Sequence, residues 1–251
     1  MKYYLCGMKK MHFLVLFTLF IFSSCGIIDK GEKRIFGLGE IYFKEGVSAQ
    51  EAENLGNFLY RKGIFDIDGK RVIQLVRKND TLTLRAVTNE NYISDSAYQR
   101  NMKLLSAEIS SAVFSDMPVN TELISPYFNT KAYIPAFGRK ILTQKGNYYY
   151  SYSMGEEKAA SLFIYLSDSL EFFTNFEGSV LLHDMGEEFR VEISSTDETV
   201  GLAATQYTYK LIALSLARKY YGEIKNPIHL QIYNLKNELQ STSIFRDGKW
   251  E

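Results

Sequence analysis

The chain has 251 residues, with 29 basic and 29 acidic side chains that give a formal net charge of zero. An apolar fraction of 46% is ordinary for a globular protein and excludes a largely disordered chain. The balanced charge does not favour nucleic acid as a partner, because such binding requires clustered lysine and arginine to displace counterions.

The first 25 residues have the pattern of an export signal. Lys2, Lys9 and Lys10 precede a short apolar run over residues 13–22, and two serines follow it before Cys25. A basic start, a short apolar stretch and small residues before a cleavage site are typical of a signal peptide. A transmembrane helix needs about 20 apolar residues, and this run is shorter. An ordinary signal peptide would end in Ala-x-Ala, and a core helix rarely begins a chain behind three lysines.

The residues Phe22-Ser23-Ser24-Cys25 resemble the lipobox of bacterial lipoproteins. The resemblance implies that residues 1–24 are removed as a signal peptide and that Cys25 carries the lipid, a diacylglycerol together with an N-acyl chain. Several acyl chains on one cysteine hold a protein durably at a bilayer, whereas one chain does so only marginally. The resemblance therefore implies a membrane as partner, reached through a lipid anchor.

Features close to the lipobox extend this expectation. Met8 offers a second start besides Met1, with a compact Met-Lys-Lys opening. Gly26 stands where lipoproteins of enteric bacteria have the aspartate that retains them at the inner membrane, so the expected location in the cell envelope is the outer membrane. Residues 25–39 mix glycine with charged residues and lack periodicity, which predicts a tether.

The remaining residues repeat one order of predicted strands and helices, over residues 40–137 and 138–251. The two copies are displaced by about 107–109 positions. In the first copy, periodicity predicts a strand at 41–43, a helix at 48–62 and a hairpin of strands 71–77 and 81–87. A second helix follows, with Met102, Leu105, Ile109 and Val113 on one face. A strand from Val119 and a closing strand at 130–134 complete this copy. In the second copy, periodicity predicts a strand at 148–152, a helix at 155–169 and strands at 179–184 and 188–194. A second helix follows, with Tyr209, Ile212, Leu216 and Tyr220 on one face. A strand from Ile228 and a closing strand at 239–245 complete this copy. Identity between the copies is low, with Leu104 and Leu211 among the aligned pairs, so two unrelated α+β halves are the alternative.

The order strand-helix-strand-strand-helix-strand is that of the ferredoxin-like plan. We therefore predict an α+β fold of two tandem ferredoxin-like (βαββαβ) repeats with antiparallel sheets, each with helices on one face. Polar residues alternate along the strands on the other face, among them Arg85 and Glu122 in the first copy and Glu192 and His229 in the second. The two sheets could pack face to face or extend side by side.

The sequence contains no catalytic, cofactor or metal motif. Cys6 is removed with the signal, so the remaining chain has Cys25 as its single cysteine and lacks a disulfide or a cysteine-based metal site. In a ferredoxin-like sheet His183 and His229 would lie on opposite edges, about 14 Å apart, too far to share a metal. The acids around Asp184 are predicted to form a solvated turn. No Gly-x-Ser-x-Gly elbow and no phosphate loop occur, so we expect no cofactor and no enzyme.

Aromatic residues open the second copy, at Tyr148, Tyr149, Tyr150 and Tyr152. Tyrosine combines a flat apolar face with a polar tip, so an exposed row of this kind would suit a glycan or a peptide. Tyrosine also suits strands, and the same residues could fill a seam between the repeats. Trp250, near the end of the sequence, could dock on the folded body or remain free.

Three functions follow from these features. The first is a non-catalytic envelope lipoprotein that binds or assembles with an envelope protein, and both copies also resemble repeats of bacterial lipoproteins, a resemblance that implies no activity. The second is a periplasmic or surface enzyme with a site between the repeats. The third is a glycan-binding accessory protein that uses the tyrosine strand. A deep pocket in the seam that holds His183 would favour the enzyme, and a closed seam would favour assembly.

Overall fold

The structure, a computed structural model, describes residues 29–66, 69–141, 147–172, 178–195 and 201–251. The predicted signal peptide, the lipobox and Cys25 lie outside the described residues. Gly31–Glu251 form one compact unit, and its described part contains two β-sheets with a helix layer on each. The predicted α+β class is therefore confirmed, as two similar domains that follow one another along the chain.

The first domain is built on a sheet of six described strands. The strands are β1 (Glu32–Phe36), β2 (Gly39–Phe43), β3 (Arg71–Lys78), β4 (Thr81–Val87), β5 (Val119–Ile124) and β6 (Thr130–Ile134), and the helices are α1 (Ala49–Arg61), α2 (Glu90–Ile93) and α3 (Ser96–Val113). The second domain is built on a sheet of seven described strands. These strands are β7 (Gly138–Ile141), β8 (Asn147–Ser151), β9 (Ser179–Asp184), β10 (Phe189–Ser195), β11 (Ile228–Asn234), β12 (Leu239–Arg246) and β13 (Lys249–Trp250), and the helices are α4 (Glu156–Ile164), which continues as a π-helical turn at Tyr165–Ser169, and α5 (Ala203–Tyr221).

The strands of each sheet lie side by side in the order in which they occur along the chain. Strands β2 and β3 are parallel neighbours, as are β4 and β5, and the same holds for β8 with β9 and β10 with β11. The predicted antiparallel, ferredoxin-like sheets are therefore wrong, and both sheets are mixed. A ferredoxin-like sheet leaves a gap between the two strands of each βαβ unit, and another strand fills that gap. Here each crossover returns the chain directly beside the strand that it left.

Each domain also begins with a strand that the sequence pattern did not predict, β1 in the first and β7 in the second. The predicted tether at 25–39 is wrong for its last part, because β1 pairs with β2 from Glu32 onward. Most of β1 is exposed, so it lacks the apolar alternation of a half-buried strand. Phe36 anchors it against α1, where a Cβ at Gly56 would lie 2.1 Å from the Phe36 ring.

The predicted helices and hairpins agree closely with the structure. Helix α1 begins after Ser48, whose Oγ accepts a hydrogen bond from the Glu51 backbone N–H, while the Glu51 side chain accepts from the Ser48 backbone N–H at 2.8 Å. This capping box satisfies amide groups that the first helical turn leaves free. The predicted stripe of Ala52, Leu55 and Leu59 is buried in the first core.

Helix α3 contacts both domains, which the sequence pattern did not indicate. One side carries Met102 and Ile109 into the core of the first domain. The other side places Leu104 and Ala107 against the second sheet, where Ala107 forms a small buried cluster with Tyr149 and Leu181. The second sheet therefore has helices on both faces, so the prediction of helices on one face is wrong for it. The sheets pack neither face to face nor side by side, because α3 lies between them.

Candidate functional site

The charged residues that are most deeply buried meet in the seam between α3 and the second sheet. Along β10 the side chains alternate, so Val191 and Ile193 enter the core of the second domain while Arg190, Glu192 and Ser194 face the opposite side. Glu192 lies in the middle of this row and is 3% exposed. A buried carboxylate requires partners that compensate its charge.

Three basic side chains surround the Glu192 carboxylate. Arg100 of α3 donates from Nε to Glu192 Oε2 at 3.1 Å. Lys103, one helical turn further along, places Nζ 3.6 Å from Oε1. On the neighbouring strand β9, His183 Nε2 lies 2.7 Å from the same oxygen. The site thus joins one helix of the first domain to two strands of the second.

Arg100 makes further contacts that fix its position. Its Nη1 donates to Ser194 Oγ at 3.1 Å and also to the side-chain oxygen of Asn237, which follows β11. The guanidinium lies over the Tyr233 ring, 3.9 Å from its centroid. Arg100 therefore combines cation–π stacking with hydrogen bonds from several of its guanidinium N–H groups.

Lys103 and His183 share an aromatic neighbour. The Lys103 ammonium lies 4.3 Å from the centroid of the Phe137 ring, and the same ring lies 4.4 Å from that of His183. Phe137 belongs to the short connection between the two domains, which ends at β7. Its ring therefore shields part of both basic groups from solvent.

The electrostatics of the site follow from burial and from the neighbouring charges. Burial alone would raise the pKa of the Glu192 carboxyl, but the contact with His183 and the charges of Lys103 and Arg100 hold that pKa well below its usual range. Burial lowers the pKa of His183 and that of Lys103, and Glu192 offsets only part of this effect in each. At neutral pH, Glu192 is therefore ionised and His183 is neutral.

The arrangement joins α3 of the first domain to β9 and β10 of the second. Several cavities lie in other parts of the described structure. One of about 560 Å³ lies in the first domain, beside the end of β4, and is lined among others by Ala86, Tyr98 and Met102. Its lining is mostly apolar and carries none of the charged residues of the seam.

The two histidines lie closer together than predicted. His183 and His229 are the register partners of Arg190 on its two sides, so they are separated by two strand spacings and do not lie on opposite edges. The predicted separation of the two histidines is wrong because it assumed the ferredoxin-like strand order. The histidines have different acidic partners, since His229 Nε2 lies 2.8 Å from Glu188 Oε2. Within the described residues, no group of three or more potential ligands could hold a metal ion.

The hairpin between β9 and β10 is attached to a helix and is more than a solvated turn. Asp184 accepts hydrogen bonds from the hydroxyls of Tyr220 at 2.6 Å and Tyr221 at 3.1 Å, both at the end of α5, and from the Gly186 backbone N–H at 2.9 Å. Burial would raise the pKa of Asp184, but these hydrogen bonds lower it overall. The carboxylate therefore ties the hairpin to α5.

The tyrosine strand is buried, so these residues do not form the exposed aromatic row that a glycan-binding role would need. Tyr148 and Tyr150 enter the core of the second domain, and Tyr149 points the other way into the seam. Tyr152 lies beyond β8 in a short turn, where its hydroxyl is 2.9 Å from Ser110 Oγ of α3. The interpretation in which these residues fill a seam between the repeats agrees with the structure for Tyr149, and Tyr148 and Tyr150 lie in the core. Trp250 is docked, since its ring packs 5.4 Å from that of Phe245.

The open face of the first sheet carries the polar residues predicted for it. Arg85 donates to Glu122 Oε2 at 2.8 Å, to the Phe128 backbone oxygen at 2.9 Å and to the Gln74 side chain. In contrast to Glu192, Arg85 finds its partners within its own domain. Arg100 and Lys103 belong to no sequence motif, and their spacing of three residues, which places both on the outer side of α3, is the one local signal of a shared role.

The fold and the seam define a protein of two similar α+β domains. A family model, described as a family N-terminal domain, matches residues 36–135, which is less than half of the chain. The matched span runs from the end of β1 to just beyond β6 and so corresponds to the first domain. No curated protein and no solved structure matches the chain. Among the described helices, none has the length and apolar character needed to cross a membrane.

Proposed function

We propose that this protein is a lipid-anchored lipoprotein of the bacterial cell envelope, with a non-catalytic role in binding or assembly. The anchor is supported by the basic start, the apolar run and the lipobox-like residues that end at Cys25. The seam carries the argument for a non-catalytic role. Glu192 and His183 are the residues there that are best suited to acid–base chemistry. Both are buried: Glu192 is paired with Arg100 and Lys103, and His183 lies against the Glu192 carboxylate.

The outer membrane is the proposed location, with an envelope protein as the proposed partner. Glycine at position 26 supports the outer membrane over the inner one. The glycan-binding alternative loses its support because Tyr148, Tyr149 and Tyr150 are each at most 5% exposed. An assembly role needs surface that can be shared with a partner, and exposed apolar side chains supply it.

We further propose that the two domains arose by duplication of one βαββαβ unit. Each has an additional strand before the unit, two parallel neighbour pairs and a second helix that lies on the sheet. The shared departures from a ferredoxin-like order support the duplication more strongly than the sequence pattern did. Two unrelated domains would not be expected to depart from that order in the same way.

Labelling with a radioactive fatty acid in a bacterial host tests the anchor. The wild-type chain should incorporate label, and Cys25→Ser should abolish it. Cys6→Ser is the matched control and should be labelled like the wild type, because Cys6 lies before the proposed cleavage site. Equal labelling of the Cys25→Ser and wild-type chains would refute the lipid anchor.

A further inference from the structure

The first domain contains a cavity at a place where its core is not closed. The cavity has a volume of about 560 Å³ and lies between the sheet and α3, beside the start of β3 and the end of β4. Ile64, Tyr98 and Leu105 line it and are only partly buried, although they pack against the core of the first domain. Small-molecule sites commonly have this size and combine apolar walls with a few polar groups.

The alternation of side chains along β3 and β4 decides which of them face the cavity. Ile73 and Ala86 are register partners, and both belong to the core on the helix side of the sheet. Arg71 and Thr88 lie two positions from them, towards the same end of the sheet, so their side chains face the same side. Both line the cavity, and Met102 of α3 lies across from them. The walls are therefore mainly aliphatic, and the arginine lies at the rim.

The second domain carries larger side chains at the corresponding positions. By the displacement that relates the two copies, Ala86 corresponds to Ile193 and Met102 to Tyr209. Ile193 is fully buried, and the Tyr209 hydroxyl donates to Ser195 Oγ at 2.7 Å, so both belong to the second core. Ala86 and Met102 therefore leave space in the first domain at positions where the second domain has the bulk of Ile193 and Tyr209.

Arg71 supplies the cationic group at the rim of the cavity. Its side chain is exposed, and within the described part of the chain its guanidinium has neither an acidic partner nor a hydrogen bond. The neighbouring Lys70 differs, because its Nζ lies 3.0 Å from Glu40 Oε1 on the opposite face of the sheet. A guanidinium binds a carboxylate through two parallel hydrogen bonds, which favours a ligand with a carboxylate at one end.

We propose that this cavity binds a medium-chain fatty acid, with the alkyl chain against Ile73, Ala86 and Met102 and the carboxylate on Arg71. The aliphatic walls favour an alkyl chain, because a polar body would lose its hydrogen bonds to water there. This inference goes beyond the proposed function, since it adds a free ligand to the lipid anchor. The acyl chains of the anchor are joined as esters or an amide, and they lack the carboxylate that Arg71 would bind.

Photo-cross-linking with dodecanoate that carries a diazirine in the middle of its chain tests the proposal. The full-length chain is kept in micelles of a non-ionic detergent, with Cys25→Ser in every variant to remove the proposed lipid. Irradiation should give a saturable adduct, which mass spectrometry of peptides should place on α3 near Met102 and Leu105. Unlabelled dodecanoate should compete for the adduct, and dodecanol should compete roughly tenfold more weakly because it lacks the charge.

Variants of the cavity provide a second readout. At subsaturating ligand, Arg71→Gln should lower the adduct yield by roughly tenfold or more, whereas Lys70→Gln, the matched control, should retain it. Ala86→Ile introduces the residue of the second domain and should abolish the adduct by filling the cavity, and circular dichroism verifies that the variants fold. Equal yields in Arg71→Gln and Lys70→Gln, adducts that avoid α3, or equal competition by dodecanol and dodecanoate would overturn the proposal. Since every chain lacks Cys25, the result is independent of the labelling that tests the anchor.

Discussion

The Arg100 guanidinium lies 3.1 Å from the Glu192 carboxylate across 92 positions of sequence, and both side chains are buried. The pair joins α3 of the first domain to β10 of the second. Removal of one partner of a buried ion pair is costly because it leaves the other charge without compensation. The stability of the whole chain therefore depends on a contact that neither domain forms alone.

Replacement of Arg100 tests this dependence. Arg100→Met should lower the free energy of unfolding by roughly 3–5 kcal/mol, because Glu192 then remains buried with weaker partners. Urea unfolding measures the loss. The control is Arg190→Met on the same face of β10, whose half-buried ion pair with Glu188 should contribute about 1 kcal/mol or less. The double variant Arg100→Met with Glu192→Leu should recover much of the stability, and equal losses in Arg100→Met and the control would contradict the assignment.

Stability should fall in two steps as the pH is lowered. The pKa of His183 is lower in the folded protein than its ordinary value of 6.5, so the unfolded chain takes up a proton first and folding weakens below that pH. The pKa of Glu192 is likewise depressed from its ordinary value of 4.5, so a further loss begins below that pH. Both contributions are fully present at neutral pH.

Urea unfolding of variants across a pH series identifies the residue that is responsible for each step. His183→Gln should remove the step that begins near the ordinary histidine pKa. Glu192→Gln should reduce the loss at lower pH, to which Asp184 also contributes because its pKa is lowered as well. His229→Gln serves as the matched control and should retain both. An unchanged profile in His183→Gln would show that the upper step belongs to another group.

The end of α5 should depend on the Asp184 carboxylate. Tyr220→Phe removes a hydroxyl that donates to it at 2.6 Å, and a hydrogen bond to a charged group contributes about 1.5–3 kcal/mol. Thermal unfolding should report a loss of that size. Tyr207→Phe, at an exposed position of the same helix, should cost much less, and similar losses in both variants would argue against the anchoring role of Asp184.

The close approach of β1 to α1 should make Gly56 intolerant of a side chain. Alanine favours a helix over glycine by about 1 kcal/mol, so Gly56→Ala would stabilise an exposed helix. Here the new Cβ would lie 2.1 Å from the Phe36 ring, and we expect a net loss of stability in urea unfolding. Phe36→Ala alone is the reference for the double variant with Gly56→Ala. If the glycine substitution still destabilises in that background, the Phe36 ring is not the cause.

Much of the local structure was predictable because it depends on neighbouring residues. The start of α1 follows from the capping box of Ser48 and Glu51, and the buried stripe follows from helical periodicity. The hairpin of β3 and β4 follows from alternation of apolar and polar residues. The edge strand β1 was missed because four of its five residues are exposed.

The candidate site was predictable only in part. Glu192 was recognised as lying on the face opposite the helices, but its burial was not expected, because the element that covers it comes from the other domain. Lys103 and Arg100 have the spacing of a solvated helix face, and local sequence cannot distinguish such a face from one that meets a second sheet.

The amino-acid sequence by itself determined the α+β class, most helix and strand positions and the export pattern that ends at Cys25, because hydrophobic periodicity, capping and the order of charged and apolar residues act over short stretches of chain. Only the tertiary structure decided the parallel pairing of β2 with β3, the place of α3 between the sheets and the ion pairs of Glu192. These features depend on contacts between residues far apart in sequence, and such contacts produce no periodic pattern of apolar and polar residues.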